Sequence, residues 1–269
     1  MHVSYGELVR VVPDAIRMLG FTYSQADDSA EAVIWTECVL SAGYELLNNA
    51  SVSNEPFRKA PIILDDDGGK VVVSVDRPLF AYAARIADLA ISRAAAAGIS
   101  LIRVIGEAGA NVTPYIAYRV SRAGYGIAVI STASQEYRAH EGRTLVVAYP
   151  GGRIVHMARG QSIPCDALSE ALPKSYSNEI KRACTDDGFA GVGTDGEILI
   201  ITVAKQHIRD LPIGARSLCR LEQRIDVVAQ LQNAVIEGLE VPSERHAILT
   251  GLAAKIRVEN FDRSRTQAG

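Results

Sequence analysis

The sequence predicts an α/β fold in which helices pack on a mixed sheet, and three observations carry that expectation. From Val75 to Thr132 a turn, an Ala-rich helix, a strand, a second helix and a second strand follow in immediate succession. A strand–helix–strand unit of this length implies a parallel crossover. Two pairs of apolar runs, flanking Asp65–Gly69 and Pro150–Gly152, read as antiparallel hairpins.

Composition narrows the function classes. Hydrophobic residues make up 48% of the 269 residues and charged residues 22%, ordinary values for a folded globular chain. The net charge of −3 comes from well-mixed acids and bases, so no basic patch points to nucleic acid. The longest weakly charged run, Leu89 to Ile102, contains Arg93, which argues against a membrane span. Glu7, Arg10, Asp14 and Arg17 interrupt the first twenty residues, so a signal peptide is not expected there. Cys38, Cys165, Cys184 and Cys219 are irregularly spaced without a CxxC pair, a pattern of reduced thiols and not of a zinc site. Together these readings predict a cytoplasmic protein with a small-molecule ligand, no metal, no nucleic-acid partner and no membrane partner.

The elements follow in order. Residues Gly6–Leu19 form the first helix, with Ser4 as N-cap, Glu7 three residues on, and Pro13 inside as a kink or break. Ser24 caps a second helix, Gln25–Leu40, whose Trp35 reads as core. Asn48–Pro61 reads as a loop. Ile62–Leu64 and Lys70–Val75 are strands about the turn Asp65–Gly69, whose aspartates lack the spacing of an EF-hand. Pro78–Ala97 is the strongest helix, closed by Gly98. Ile99–Ile105 and Ile127–Ser131 are strands around a helix at Thr113–Ala123, and are expected to be parallel neighbours. Arg143–Tyr149 and Arg153–Met157 form a hairpin. Short helices at Ala167–Leu172 and Ser177–Thr185 lead to a strand at Ile198–Ala204. Long helices follow at Ala215–Gly238 and Ser243–Lys255, and Asp262–Gly269 is expected to fray. Residues 1–60 read as an N-terminal helical segment and 61–269 as an α/β domain, the two forming one compact unit.

The run Asp88-Leu89-Ala90-Ile91, Ala94 to Gly98, Tyr115-Ile116-Ala117 and Ala123-Gly124 resembles the type 2 NAD(P)-dependent malate/L-lactate dehydrogenase family. The similarity covers about Val3–Ser134, half the chain. It implies a non-Rossmann malate/L-lactate dehydrogenase-like fold, a homodimer, and NAD(P) as the cofactor to test. The family's catalytic loop, roughly Asn-x-x-His-x-Gly-x-x-Gly-Tyr, falls on Gly106–Tyr115, where only Tyr115 matches and Gly109 stands for the proton-donating His. Its Ser-His-Gly turn followed by Arg falls on Ser41-Ala42-Gly43, with Leu46 where Arg would hold a substrate carboxylate. Its Gly-Thr-Asn-Pro and Lys-Gly-Tyr-Gly dinucleotide segments have no counterpart, so cofactor binding stays open. The resemblance implies a shortened, divergent relative with those two catalytic groups lost.

Candidate site residues follow from what remains polar. Glu107, Asn111 and Tyr115 could form a catalytic set at the strand–helix turn. Ser41, Glu45, Ser131, Arg138 and His140 could bind a ligand, the last three because loops at strand C-termini carry ligand sites in α/β sheets. The glycine-rich run Gly188–Gly193 precedes a strand and not a helix, so it is no phosphate cradle. His156, His207, His246 and Cys165 suggest no role of their own. Two classes of function stay open: a small-molecule (2-oxo or imino acid-like) enzyme with a remodelled site, and a non-catalytic ligand-binding or partner-subunit protein. An ordinary NAD(P)-dependent oxidoreductase is a further alternative.

Overall fold

The computed structural model describes residues 1–51, 61–67, 70–75, 78–106, 110–132, 143–160, 197–204 and 223–267. Its elements begin with β1 (His2–Val3), α1 (Tyr5–Met18), α2 (Tyr23–Leu40), α3 (Gly43–Ser51), β2 (Ile62–Asp67) and β3 (Lys70–Val75). α4 (Ala83–Ala97), β4 (Ile99–Gly106), α5 (Thr113–Arg122), β5 (Gly126–Thr132), β6 (Arg143–Ala148) and β7 (Ile154–Gly160) follow. The last are β8 (Glu197–Val203), β9 (Gln223–Asp226), α6 (Val227–Glu237), β10 (Leu239–Glu240) and α7 (Ser243–Gln267). None of the described helices is long and apolar enough to cross a membrane.

The chain forms two compact units: a helical one from Met1–Lys59 with Val228–Gly269, and a sheet unit from Ala60–Val227. The sequence reading put everything after residue 60 in the α/β domain. Instead α7 packs along α1, and β10 pairs antiparallel with β1, so the C-terminal stretch belongs to the helical unit. The Met1 ammonium, donating to the Val241 carbonyl at 2.7 Å, ties the two ends of the chain further.

In the helical unit the Ser4 hydroxyl accepts from the Glu7 amide at 3.1 Å and starts α1. Pro13 does not break this helix. A proline removes the bond to the carbonyl four residues back, and that residue, Val9, is 46% exposed, so water can satisfy the oxygen. The cap of α2 lies at Thr22, not at the expected Ser24. Thr22 and Gln25 bond each other's amides reciprocally, as a capping box does. α3 claims Asn48–Ser51, which the sequence reading gave to a loop. α7 continues to Gln267, past the expected fraying point at Asp262.

The sheet unit carries eight strands in the order β2-β3-β4-β8-β5-β6-β7-β9. β3 and β4 pair in parallel, and all other pairs are antiparallel, so the sheet is mixed. α4 and α5 pack against it. β4 and β5 run in the same direction, as expected, but they are not neighbours. β8 lies between them, antiparallel to both. The reason is burial: all seven residues of β8 are buried, so this strand stabilises the sheet most from its centre.

The hairpin β6–β7 forms as expected, and β2 extends its own hairpin through Asp65–Asp67 in place of ending before them. No acidic or His/Cys cluster able to hold a metal occurs among the described residues. The long helix expected over Ala215–Gly238 is replaced, from Gln223 onward, by β9 and then α6. Ile225 is buried opposite Val155, and the Val227 amide donates to the Arg153 carbonyl, so sheet pairing overrides helix propensity here. The helix expected from Pro78 opens with a 3₁₀ turn at Leu79–Ala81 before α4. Residues 167–172, 177–185 and 188–193, with their expected helices and glycine run, lie outside the described residues, as does the stretch 215–222.

Candidate functional site

In the helical unit, the turn Ser41-Ala42-Gly43 joins α2 to α3. Ser41 closes α2 in the left-handed region at φ 54° and is exposed. Gly43 is required by close approach: a Cβ there would collide with the Val33 carbonyl oxygen and the Glu37 side chain. Below the turn the buried Glu37 carboxylate accepts from the Tyr44 amide at 2.9 Å, where α3 begins. Burial pushes the Glu37 carboxyl above its ordinary value, against the lowering effect of the Tyr44 and Gly43 amides. Cys38, a buried free thiol, is pushed up to about 12 by burial and then by the Glu37 charge, so it is no nucleophile.

Tyr44 follows this turn directly. Its hydroxyl lies 3.0 Å from His246 Nδ1, and His246 Nε2 lies 3.3 Å from Glu7 Oε1. A carboxylate can only accept, so Glu7 favours the imidazole proton on Nε2. Nδ1 is then left to accept from the Tyr44 hydroxyl. Burial, then the charges of Glu37 and Glu7, push the Tyr44 phenol well above its ordinary value, so it stays protonated and able to donate. Both Tyr44 and His246 are 5% exposed, so their bond is largely withdrawn from water, while the Glu7 side chain is 33% exposed.

Tyr44 also lines a cavity of about 240 Å³ between α3 and α7. Leu47, Leu249 and Leu252 supply apolar wall, and Glu244 and Arg245 supply opposite charges. Arg245 pairs with Glu45 at 3.0 Å, both side chains being about two-fifths exposed (42% and 39%). Such an exposed pair contributes little and can be exchanged for a ligand. Glu45, a sequence candidate, thus reaches this cavity through Arg245. Leu46 is 7% exposed and belongs to the core.

The sheet unit holds the other candidates. Asn111 sits half-buried in the 3₁₀ turn Ala110–Val112 that precedes α5. Tyr115 is completely buried, and its hydroxyl accepts from Arg119 Nη1 at 3.2 Å. Arg119 in turn grips Asp88 of α4 through two bonds of 3.2 and 3.3 Å. Burial alone would lower the Arg119 guanidinium, but the bonds to Tyr115 and Asp88 outweigh it and the net shift is upward. This set ties α5 to α4. The Ser131 hydroxyl is buried on β5 with no bonding partner among the described residues. Glu107, Arg138 and His140 lie outside the described residues, as does Gly109.

Serine and asparagine candidates therefore divide between two units, and the most complete acid–base arrangement is one the sequence reading passed over. His246 has no local motif. Its partner Tyr44 is 202 residues away along the chain. The only local signal was position: Tyr44 directly after the Ser-x-Gly turn.

Glycines at a dinucleotide-binding turn leave room for phosphate. Gly106, at the strand–helix turn with φ 126°, instead faces the Val75 carbonyl oxygen, which a Cβ would strike. Gly43 is likewise filled by its own protein.

No protein-family model matches the chain, and no curated protein matches it in sequence. Solved structures do. Malate dehydrogenase from Entamoeba histolytica superposes with a TM-score of 0.65 at 11% identity, over 94% of this chain and 97% of that one. A dehydrogenase from Sinorhizobium meliloti gives 0.66 at 13% identity, over 94% and 99%. Delta1-piperideine-2-carboxylate reductase from Pseudomonas syringae gives 0.61 at 14% identity, over 94% and 99%. The likeness thus extends over nearly the whole chain and not half of it. At these identities it speaks for architecture: the chain has the malate/L-lactate dehydrogenase-like fold.

Proposed function

We propose that this protein is a divergent relative of the malate/L-lactate dehydrogenases that transfers a proton on a small 2-oxo or imino acid-like compound through a remodelled site. The observation that carries this reading is the chain Glu7–His246–Tyr44, whose last two members are buried and whose Tyr44 lines a cavity. In the resembled family a His donates a proton and an Arg holds the carboxylate. Here the corresponding positions are Gly109 and Leu46, which can do neither. Tyr44 can pass its hydroxyl proton to His246 Nδ1, Glu7 steadies the imidazolium that forms, the freed Tyr44 oxygen takes the carbon-bound proton of the ligand, and the reverse transfers restore the resting state. Arg245 offers the cation that Leu46 does not.

Proton transfer next to a carbonyl or imine has a direct readout. The carbon-bound proton leaves to solvent and a deuteron replaces it, so exchange in D₂O reports the step without redox change. The protein should catalyse such exchange on 2-oxo acids or cyclic imino acids. Tyr44→Phe or His246→Gln should slow it by about 10²–10⁴-fold, the usual contribution of a general acid. Exchange no faster than in buffer would overturn the reading. So would exchange that both variants leave intact, in which case the turn bearing Asn111 and Tyr115 becomes the place to test.

A second reading has its own observation. β2 is an edge strand among the described residues, and its Ile62, Ile63 and Leu64 are 56%, 51% and 58% exposed. An apolar edge of this kind is a template for pairing with another chain. It supports a subunit role, with a homodimer as the simplest form. Sedimentation at micromolar concentration should then show a dimer that Ile63→Lys weakens, and a monomer would count against it.

A further inference from the structure

We propose that the α3–α7 cavity binds a zwitterionic amino or imino acid with an apolar side chain, its carboxylate on Arg245, its ammonium or iminium on Glu244 and its side chain against Leu47, Leu249 and Leu252. This rests on the reading of the Tyr44 site and narrows its ligand class.

Three features of the cavity select that ligand. The first is size. About 240 Å³ lies below the usual range for drug-sized ligands. At the ~30 Å³ a water occupies, it holds roughly eight water-sized groups, close to the heavy-atom count of an acid with about six carbons. The second is the wall. Leu47 and Leu249 are buried, and with Leu252 they form an apolar surface that gains by covering hydrocarbon and penalises an unpaired polar tail. The third is charge. A simple carboxylate would use Arg245 and leave Glu244 facing it at a distance set by the same helix turn. A simple amine would have the opposite problem. A molecule carrying both charges beside an apolar body meets both side chains, which lie at the exposed rim of the cavity.

The geometry also leaves the ligand's reacting end near Tyr44. Tyr44 lines the cavity, while His246, bonded to its hydroxyl, and Glu7 stand outside the lining. Binding must displace Glu45 from Arg245. That costs little, because the pair is exposed and a ligand carboxylate replaces it with a bidentate bond to the guanidinium.

Equilibrium dialysis of the whole protein with labelled L-leucine tests the assignment, with 4-methylpentanoate and 3-methylbutylamine as probes bearing one charge each. L-Leucine should bind saturably, and each single-charge probe should bind at least about tenfold more weakly, having lost one of the two charged contacts. Arg245→Gln and Glu244→Gln change partly exposed side chains and should each lose about tenfold for L-leucine. Glu244→Gln should at the same time narrow the gap between L-leucine and 4-methylpentanoate. Leu252→Trp should block all three by filling the cavity. No saturable binding of L-leucine, or binding that Arg245→Gln and Glu244→Gln leave unchanged, overturns the proposal. Binding as described without deuterium exchange keeps this ligand class and removes the catalytic reading. Exchange that survives Leu252→Trp and Arg245→Gln does the reverse.

Discussion

At the scale of single residues, the least expected feature is how much of the α2–α3 turn is held by one buried carboxylate. Glu37 accepts from the first amides of α3, where the helix dipole favours a negative charge, yet burial still raises its carboxyl above the ordinary 4.5. The sign of the consequence follows. The folded chain holds this proton more tightly than the unfolded chain does. Below the ordinary value both are protonated and the difference vanishes. As pH rises through that value and on to the raised one, the unfolded state releases its proton first and stability falls. Glu37→Gln keeps an acceptor for the Tyr44 amide and removes the titration. The urea midpoint of the variant should therefore decline less than that of the parent as pH rises above the ordinary carboxyl value of 4.5. A parallel decline in both proteins would show that Glu37 contributes nothing to the pH dependence. No local pattern marks this residue, because its burial depends on α3 folding back over α2.

Among the elements, several marked by local pattern lie where the sequence puts them, and those that depend on distant pairing do not. β4, α5, β5 and the β6–β7 hairpin lie where apolar runs and turn residues put them. Those runs have one buried identity whatever their neighbours. The place of β8 is different. Its sequence says only that it is buried on both faces, which any central strand would be, and it enters between β4 and β5 from far along the chain. β9 was lost for a related reason: a four-residue strand has little pattern of its own, and its single buried residue, Ile225, finds Val155 only in the folded sheet. The end of β4 shows how tightly such pairing is fitted. Gly106 sits opposite Val75 at φ 126°, with no room for a side chain before the Val75 carbonyl oxygen. Gly106→Ala would add backbone strain and force β3 and β4 apart at this point. A loss of about 2–4 kcal/mol is expected, measurable by urea unfolding. A loss under about 0.5 kcal/mol, the range of neutral surface changes, would mean that this register is loose.

For the whole molecule, the fold was legible from half the chain and the site was not. Fold follows from periodicity and turn chemistry, which repeat many times and so survive substitution. A site rests on a few side chains that meet across the chain, and Tyr44, His246 and Glu7 share no local signature. The same distinction decides what a dehydrogenase-like architecture implies here, since one fold hosts many chemistries. Reduction of a 2-oxo acid by a nicotinamide needs a proton donor at the carbonyl oxygen, a cation for the carboxylate, and a seat for the cofactor. On the resemblance, the first two positions are Gly109 and Leu46, and Leu46 is buried in α3. If independent, the two losses remove on the order of 5 kcal/mol or more of transition-state stabilisation. Tyr115 is the matched motif residue, but it is fully buried with its hydroxyl bound to Arg119, so it does not take over as donor. With pyruvate, oxaloacetate or a cyclic imino acid, and NADH or NADPH followed by absorbance, turnover should stay well below about 1 s⁻¹, the lower end of common enzyme rates. Introducing Gly109→His and Leu46→Arg together should not restore it, because a buried arginine at position 46 would be costly. Faster turnover in the parent would mean that hydride chemistry survives on a different set of residues, and that the Tyr44 chain serves it.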